Sequence, residues 1–247
     1  MNEIIYNFFA GYIQGITEFL PISSSGHLLL LGMNLDTAIM LHFGTVFSII
    51  IYYKKYILKL SREFIKGDRT LLYFIIIGCL PISIVGLLSK DLIESIFYND
   101  ISLLPYTFML TAIFLFLTKD INSQKELTLK IVFIVGILQV FALLPGVSRS
   151  GITIASLLIF GINRKDAVRF SFLMAIPLIL GSTFLTIYFS NYNFESMQYI
   201  AFGTIISFLF GWIAIYLTNN FLENKKYWLF SIYCFIISIL VLILDIS

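Results

Sequence analysis

Residues 14 to 31, QGITEFLPISSSGHLLLL, put a glutamine, a glutamate, three serines and a histidine into an otherwise apolar run. Gln14 and Glu18 are four apart and share one helix face, just before Pro21 ends the helix. Ser23, Ser24, Ser25 and Gly26 then open a second, short apolar segment. Hydroxyls and first amide groups at such a helix start favour an anion. His27 beside them can give or take a proton near neutral pH. A second stretch, LLPGVSRSG at 143–151, sets Arg149 between Ser148 and Ser150, with Gly151 following. A guanidinium is a planar, permanent cation whose fork matches phosphate oxygens. Together these residue types suit the binding and transfer of a phosphoryl group.

The elements that must position them lie in a membrane. Of 247 residues, 59% are hydrophobic and only 12% charged, with a mean hydropathy of +0.96. Soluble globules carry about 25% charged residues, so a soluble fold is excluded. Apolar runs near the ~20 residues that cross a bilayer recur along the chain, which excludes a lone anchor on a soluble domain. Met1, Asn2 and Glu3 lack the cationic start of a secretory signal, so the first helix is expected to belong to the mature protein. Cys79 and Cys234 sit in apolar runs and read as small hydrophobes. The many Phe and Tyr residues suit lipid contact and interfacial belts, and nucleic acid is not expected as a partner.

Six runs are expected to span: 36–53, 71–89, 102–118, 168–189, 199–217 and 228–246. Lys and Arg concentrate on the cytoplasmic side. Lys54, Lys55, Lys59, Arg62, Lys66 and Arg69 therefore put the 54–69 loop inside, and Lys119, Lys125 and Lys130 do the same for 119–130. Arg164, Lys165, Arg169, Lys225 and Lys226 mark two more inside segments. Near 90–101, Lys90 is outnumbered by Asp91, Glu94 and Asp100, so that loop belongs outside, as does the cation-free loop at Glu195. Both termini should be outside.

Between residues 130 and 164 both flanks read as cytoplasmic, which a single span cannot satisfy. Pro145 and Gly146 break the helix midway, so 131–161 is expected to enter, turn at 145–150 and return. Residues 4–33 follow the same logic from the outer face. The two breaks also align: Gln14 with Gln139, Ser23 with Ser148, Ser24 with Arg149 and Gly26 with Gly151, all 125 positions apart. The chain reads as one membrane domain over 1–247, with repeat 1 about 1–120 and repeat 2 about 125–247. Each repeat is a re-entrant hairpin plus three spans, and an odd number of spans inverts the second copy. Such repeats bring broken helices together near the midplane, where substrates bind. The fold class is thus an all-α polytopic membrane protein with inverted topology, six transmembrane helices and two re-entrant hairpins.

Plainer readings stand beside the chemical ones. Ser23, Ser25 and Ser150 are also ordinary cap and turn residues. Glu18 could serve only to neutralise Arg149. His27 could cap a helix or bond a neighbouring serine. His42, alone within a span, reads as a helix-packing histidine rather than a ligand.

QGITEFLPISSSGH and LPGVSRSGITIASLLIFGINRKDAVRFSFLMAIP resemble the two signature regions of the undecaprenyl-diphosphate phosphatases of the bacitracin-resistance (BacA/UppP) type, and the resemblance runs nearly the whole chain. It implies hydrolysis of undecaprenyl diphosphate to the monophosphate carrier of bacterial cell-wall synthesis, in the cytoplasmic membrane. It also implies a divalent cation, magnesium or calcium. The family's E/Q-x-x-x-E element falls on Gln14 and Glu18, its serine-glycine-histidine element on Ser24 to His27, and its P-G-x-S-R-S element on Pro145 to Ser150. Many members have a second glutamate where this chain has Gln14.

On this reading Glu18, His27, Ser24 and Arg149 are catalytic. Ser23, Ser25, Gly26, Ser148, Arg149, Ser150 and Gly151 cradle phosphate, and Glu18 with Gln14 faces the cation. Whether water or Ser24 attacks phosphorus stays open. Expected partners are the polyprenyl diphosphate lipid and membrane lipids, with a homodimer left open. A transporter that flips polyprenyl phosphate is the alternative, since inverted repeats around a midplane anion site also build secondary transporters.

Overall fold

A computed structural model describes residues 3–33, 35–89, 91–93, 95, 101–119, 121, 124–189 and 194–244. Most of the acidic 90–101 loop and the extreme termini, to which outside positions were assigned, lie outside the described residues. The chain is helical, with no β-strand among the described residues. In order the helices are α1 (Glu3–Phe19), α2 (Ser24–Leu30), α3 (Leu35–Tyr52), α4 (Lys54–Ile65), α5 (Thr70–Leu88), α6 (Leu104–Phe116), α7 (Leu129–Gln139), α8 (Arg149–Ile159), α9 (Arg164–Phe189), α10 (Phe194–Glu223) and α11 (Phe230–Ile243).

Among the described residues, four helices are long and apolar enough to cross a membrane: Leu35–Tyr52, Thr70–Leu88, Arg164–Phe189 and Met197–Glu223. The runs at 102–118 and 228–246 form shorter helices, of 13 residues in α6 and 14 in α11. Pro105 sits at the start of α6, where a missing N–H is harmless, and so fixes where that helix begins. At the other end a tight turn from Tyr227 to Leu229 delays the start of α11. The basic 54–69 segment holds a helix that loop charge alone did not reveal. In α4, Tyr56 and Ile57 lean on the core, while Lys54, Lys55, Lys59 and Arg62 face out.

Both polar breaks are helix–turn–helix units. Pro21 and Ile22 separate α1 from α2, and a short tight turn at Val140–Leu143 with Pro145 and Gly146 separates α7 from α8. Around them the packing is paired. Helix α1 lies along α10, α7 lies along α5, α3 crosses α9, and α6 crosses α11. The first two contacts are made by glycines, because only a missing side chain lets backbones come so close in a bilayer. A Cβ on Gly11 would lie 2.1 Å from the Gly203 carbonyl oxygen, and one on Gly136 would lie 2.6 Å from that of Gly78. Phe19, Phe172, Ile154 and Leu157, all fully buried, fill the centre between the halves.

Candidate active site

Each break ends in the same local structure. In the first, Ser23 caps α2 by accepting from Gly26 N at 3.3 Å, and its hydroxyl lies 3.3 Å from that of Ser25. In the second, Ser148 caps α8 by accepting from Gly151 N at 3.0 Å, and its hydroxyl lies 3.3 Å from that of Ser150. Capping of this kind stabilises a helix start by about 1 kcal/mol. The loops also touch. A Cβ on Gly26 would lie 2.9 Å from Gly146 Cα, and one on Gly151 would lie 3.4 Å from Pro21 Cβ. Ser150 donates to the Glu18 carbonyl at 3.0 Å, and Thr111 of α6 holds the second loop through Ser148 N at 3.0 Å and the Gly146 carbonyl at 3.2 Å.

At the junction sits Glu18, with its side chain 6% exposed. Its Oε1 receives Arg149 Nη2 at 2.5 Å. Its Oε2 receives Gln14 Nε2 at 3.0 Å, the Ser24 hydroxyl at 2.7 Å and His42 Nε2 at 3.1 Å. The other Arg149 nitrogen, Nη1, is buried and has no partner. A half-buried guanidinium with one nitrogen unpaired is suited to an anion. Glu18, Ser23, Ser24, Ser25, His42, Ser148 and Arg149 form the polar end of a cavity of about 750 Å³. Its remaining walls are mostly apolar side chains of α5, α9 and the Val140–Leu143 turn.

The two histidines exchange the places expected of them. His27 donates from Nδ1 to the Ser23 carbonyl at 2.6 Å, and its Nε2 accepts from the Tyr233 hydroxyl at 2.7 Å, a tautomer assigned from those partners. The ring stacks on Tyr233 and does not line the cavity. Its bond steadies Ser23, whose φ of 67° is costly for a residue with a Cβ. His42, read from sequence as a packing residue, faces the cavity, and its Nδ1 lies 2.6 Å from the Ala38 carbonyl. Both of its ring nitrogens therefore face oxygen atoms, Nε2 lying 3.1 Å from Glu18 Oε2. The available signal was its rarity, since an ionisable residue inside a span usually serves function. Gly26, Ser150 and Gly151 brace the loops without reaching the cavity.

Glu18 and Gln14 would offer a divalent cation one carboxylate and one amide oxygen. Magnesium and calcium want oxygen ligands, and four donors already hold the Glu18 carboxylate, three on Oε2 and one on Oε1. Gln14, fully buried, spends its amide on Glu18 and leaves its Oε1 without a partner. No group of three His, Cys, Asp or Glu converges among the described residues.

A family model described as bacitracin resistance protein BacA matches residues 7–240. An undecaprenyl-diphosphatase of Methanosphaera stadtmanae is 35% identical over 100% of this chain and 99% of its own. One from Thermosipho africanus is 34% identical over 97% of this chain and 98% of its own. A third, from Thermotoga petrophila, is 36% identical over 93% and 96%.

Proposed function

The chain belongs to the family of the bacitracin resistance protein BacA, and from that premise we infer that it is an undecaprenyl-diphosphatase. It removes the terminal phosphate of a membrane lipid, leaving undecaprenyl phosphate. The observation that carries this reading is the Arg149–Glu18 pair: two loops far apart in sequence join at the polar end of a cleft with one guanidinium nitrogen unspent. The names of the relatives speak for hydrolysis and lend no support to lipid flipping.

The terminal phosphoryl group lies against Arg149, Ser148 and the first amides of α8, where fixed donors oppose the charge that builds on its oxygens. Ser24 is the nucleophile and Glu18 its base, because the Ser24 hydroxyl already donates to Oε2 at 2.7 Å. A Ser24 Oγ–P bond forms as the anhydride P–O bond to the lipid phosphate breaks, and the serine proton passes to Glu18. Water then attacks phosphorus, the Ser24 Oγ–P bond breaks to release inorganic phosphate, and Glu18 returns the proton to the Ser24 oxygen. His42, whose Nε2 lies 3.1 Å from Glu18 Oε2, takes the acid–base part that the sequence motif suggested for His27. The remaining acceptors of the leaving lipid phosphate face Ser148 and Ser23.

An inverted repeat accounts for the paired packing. The glycine contacts between α1 and α10 and between α7 and α5 use residues 125 positions apart in each partner, and so do the two capped serine loops. In that arrangement α6 and α11 complete the two sets of three spans, and the two breaks enter from opposite faces. The basic α4 stays in the cytoplasm, α5 and α9 both run outward from basic starts, and the cleft opens at their outer ends, near Leu87 and Phe189. Phosphate is released outside. In a chain with Cys79 and Cys234 replaced by alanine, Asp91→Cys should react with an impermeant thiol reagent on intact cells, and Ser61→Cys only after the membrane is opened. Labelling of both from one side would end the inverted-repeat reading.

Purified protein in detergent should release phosphate from undecaprenyl diphosphate; no release would refute the activity. A magnesium titration after EDTA treatment adds a second result. Gln14→Glu removes the amide donor from Glu18 and supplies a second carboxylate on the same helix face, so its turnover should saturate at lower magnesium than the parent's. Identical titrations would show that position 14 does not govern cation response.

A further inference from the structure

Beyond its polar end, the cleft contains a vacancy that packing does not explain. A glycine inside a helix costs roughly 0.5–1 kcal/mol relative to alanine. At every other helical glycine of this chain an added Cβ would come within 3.3 Å of a neighbour, so closeness accounts for the residue. At Gly181 a Cβ would meet nothing within 4 Å. Gly181 lies inside the 26-residue α9 and lines the cavity one turn after Pro177, on the same face. Gly86 of α5 and Leu185, which is 36% exposed, line the same apolar stretch. The notch is left open for something outside this chain.

We propose that the Gly181 notch is the exit by which the isoprenoid chain of the substrate passes from the cleft into the bilayer, and that its openness lets the enzyme take a long, methyl-branched chain. The proposal rests on the phosphatase reading for the identity of the substrate. A cavity of about 750 Å³ suits a drug-sized ligand. An undecaprenyl chain is far larger, so most of it must leave the protein while its diphosphate stays at Arg149. The stretch from Ile82 past Gly86 and Gly181 gives it a mostly apolar path, with Ser83 and Ser182 beside it, that begins at the phosphate site. A side chain at 181 would stand in that path without disturbing the packing of α9, since no protein atom is near.

The test compares Gly181→Ala, Gly181→Leu and Gly181→Phe in the full-length protein, assayed on undecaprenyl diphosphate and on geranyl diphosphate, which has only a short tail. The ratio of kcat/KM for the long over the short substrate should fall in step with side-chain size, by tenfold or more for phenylalanine. An unchanged ratio, whether both activities hold or both fall, overturns the proposal. A binding readout separates this from failure of the phosphatase reading. In a chain with Cys79 and Cys234 replaced by alanine, undecaprenyl phosphate should shield Gly181→Cys from a bulky maleimide in detergent, whereas a phosphatidylglycerol should not. Equal shielding by both lipids would make the notch a slot for any acyl chain and sink the specificity claim.

Discussion

Arg149→Lys is expected to lower kcat by about 10³-fold or more, although the positive charge is kept. On the proposed mechanism the guanidinium does two things at once: Nη2 holds Glu18 Oε1, and the unpartnered Nη1 meets the phosphoryl oxygens. An ammonium is a single point donor on a flexible stem and cannot hold both partners in one geometry. Because the lost contact strengthens as charge develops on the transferred group, kcat and kcat/KM should fall together, with little change in KM. The variant retains a cation for Glu18, so it should fold, as monodisperse elution in detergent and an unchanged Tm would show. Near-parental kcat in folded Arg149→Lys would remove the clamp from the mechanism and leave Arg149 as a counter-charge.

Much of this site could be read in the sequence because the repeat is written in residues that cannot be exchanged freely. Proline and glycine must break a membrane helix wherever they fall together with capping serines, so both breaks, at Pro21 and at Pro145 with Gly146, were visible. Their meeting was legible too: the two breaks align residue for residue and were expected to face each other, and Ser150 of one donates to the Glu18 carbonyl beside the other. The placement of each histidine was not. His27 sits in the motif, but its ring turns toward Tyr233 of α11, a partner 206 residues away that no local pattern announces. His42 sits in no motif, and only the crossing of α3 beside α1 brings it to Glu18. Helix α4 was hidden for another reason: charge count fixes which side of the membrane a segment occupies, not whether its backbone is helical. The lengths of α6 and α11 escaped because hydropathy reports apolar extent, while Pro105 and the turn at Tyr227–Leu229 decide where the helices begin.

The other large effect is expected at Glu18 and Ser24, and the two variants must be taken together. Glu18→Gln keeps the shape of the side chain but removes the base, and loss of a positioned general base costs about 10²–10⁴-fold in rate. It also strips Arg149 and His42 of their shared counter-charge, and leaving a buried charge unpaired destabilises a protein by about 3–5 kcal/mol. A drop in folded protein would therefore confuse catalysis with structure. Ser24→Ala avoids this, since the ion pair between Glu18 and Arg149 and the contact with His42 survive it. Folded Ser24→Ala should be inactive. Rapid acid quenching of the parent with substrate should also yield phosphate bound to the peptide containing Ser24, found by mass spectrometry and absent from the alanine variant. If Ser24→Ala turns over near the parental rate while Glu18→Gln is inactive and folded, water is the nucleophile and Glu18 acts on it directly. The Ser24 hydroxyl at 2.7 Å would then serve only to hold the carboxylate, and the first loop would contribute position while the chemistry fell to Glu18, His42 and Arg149.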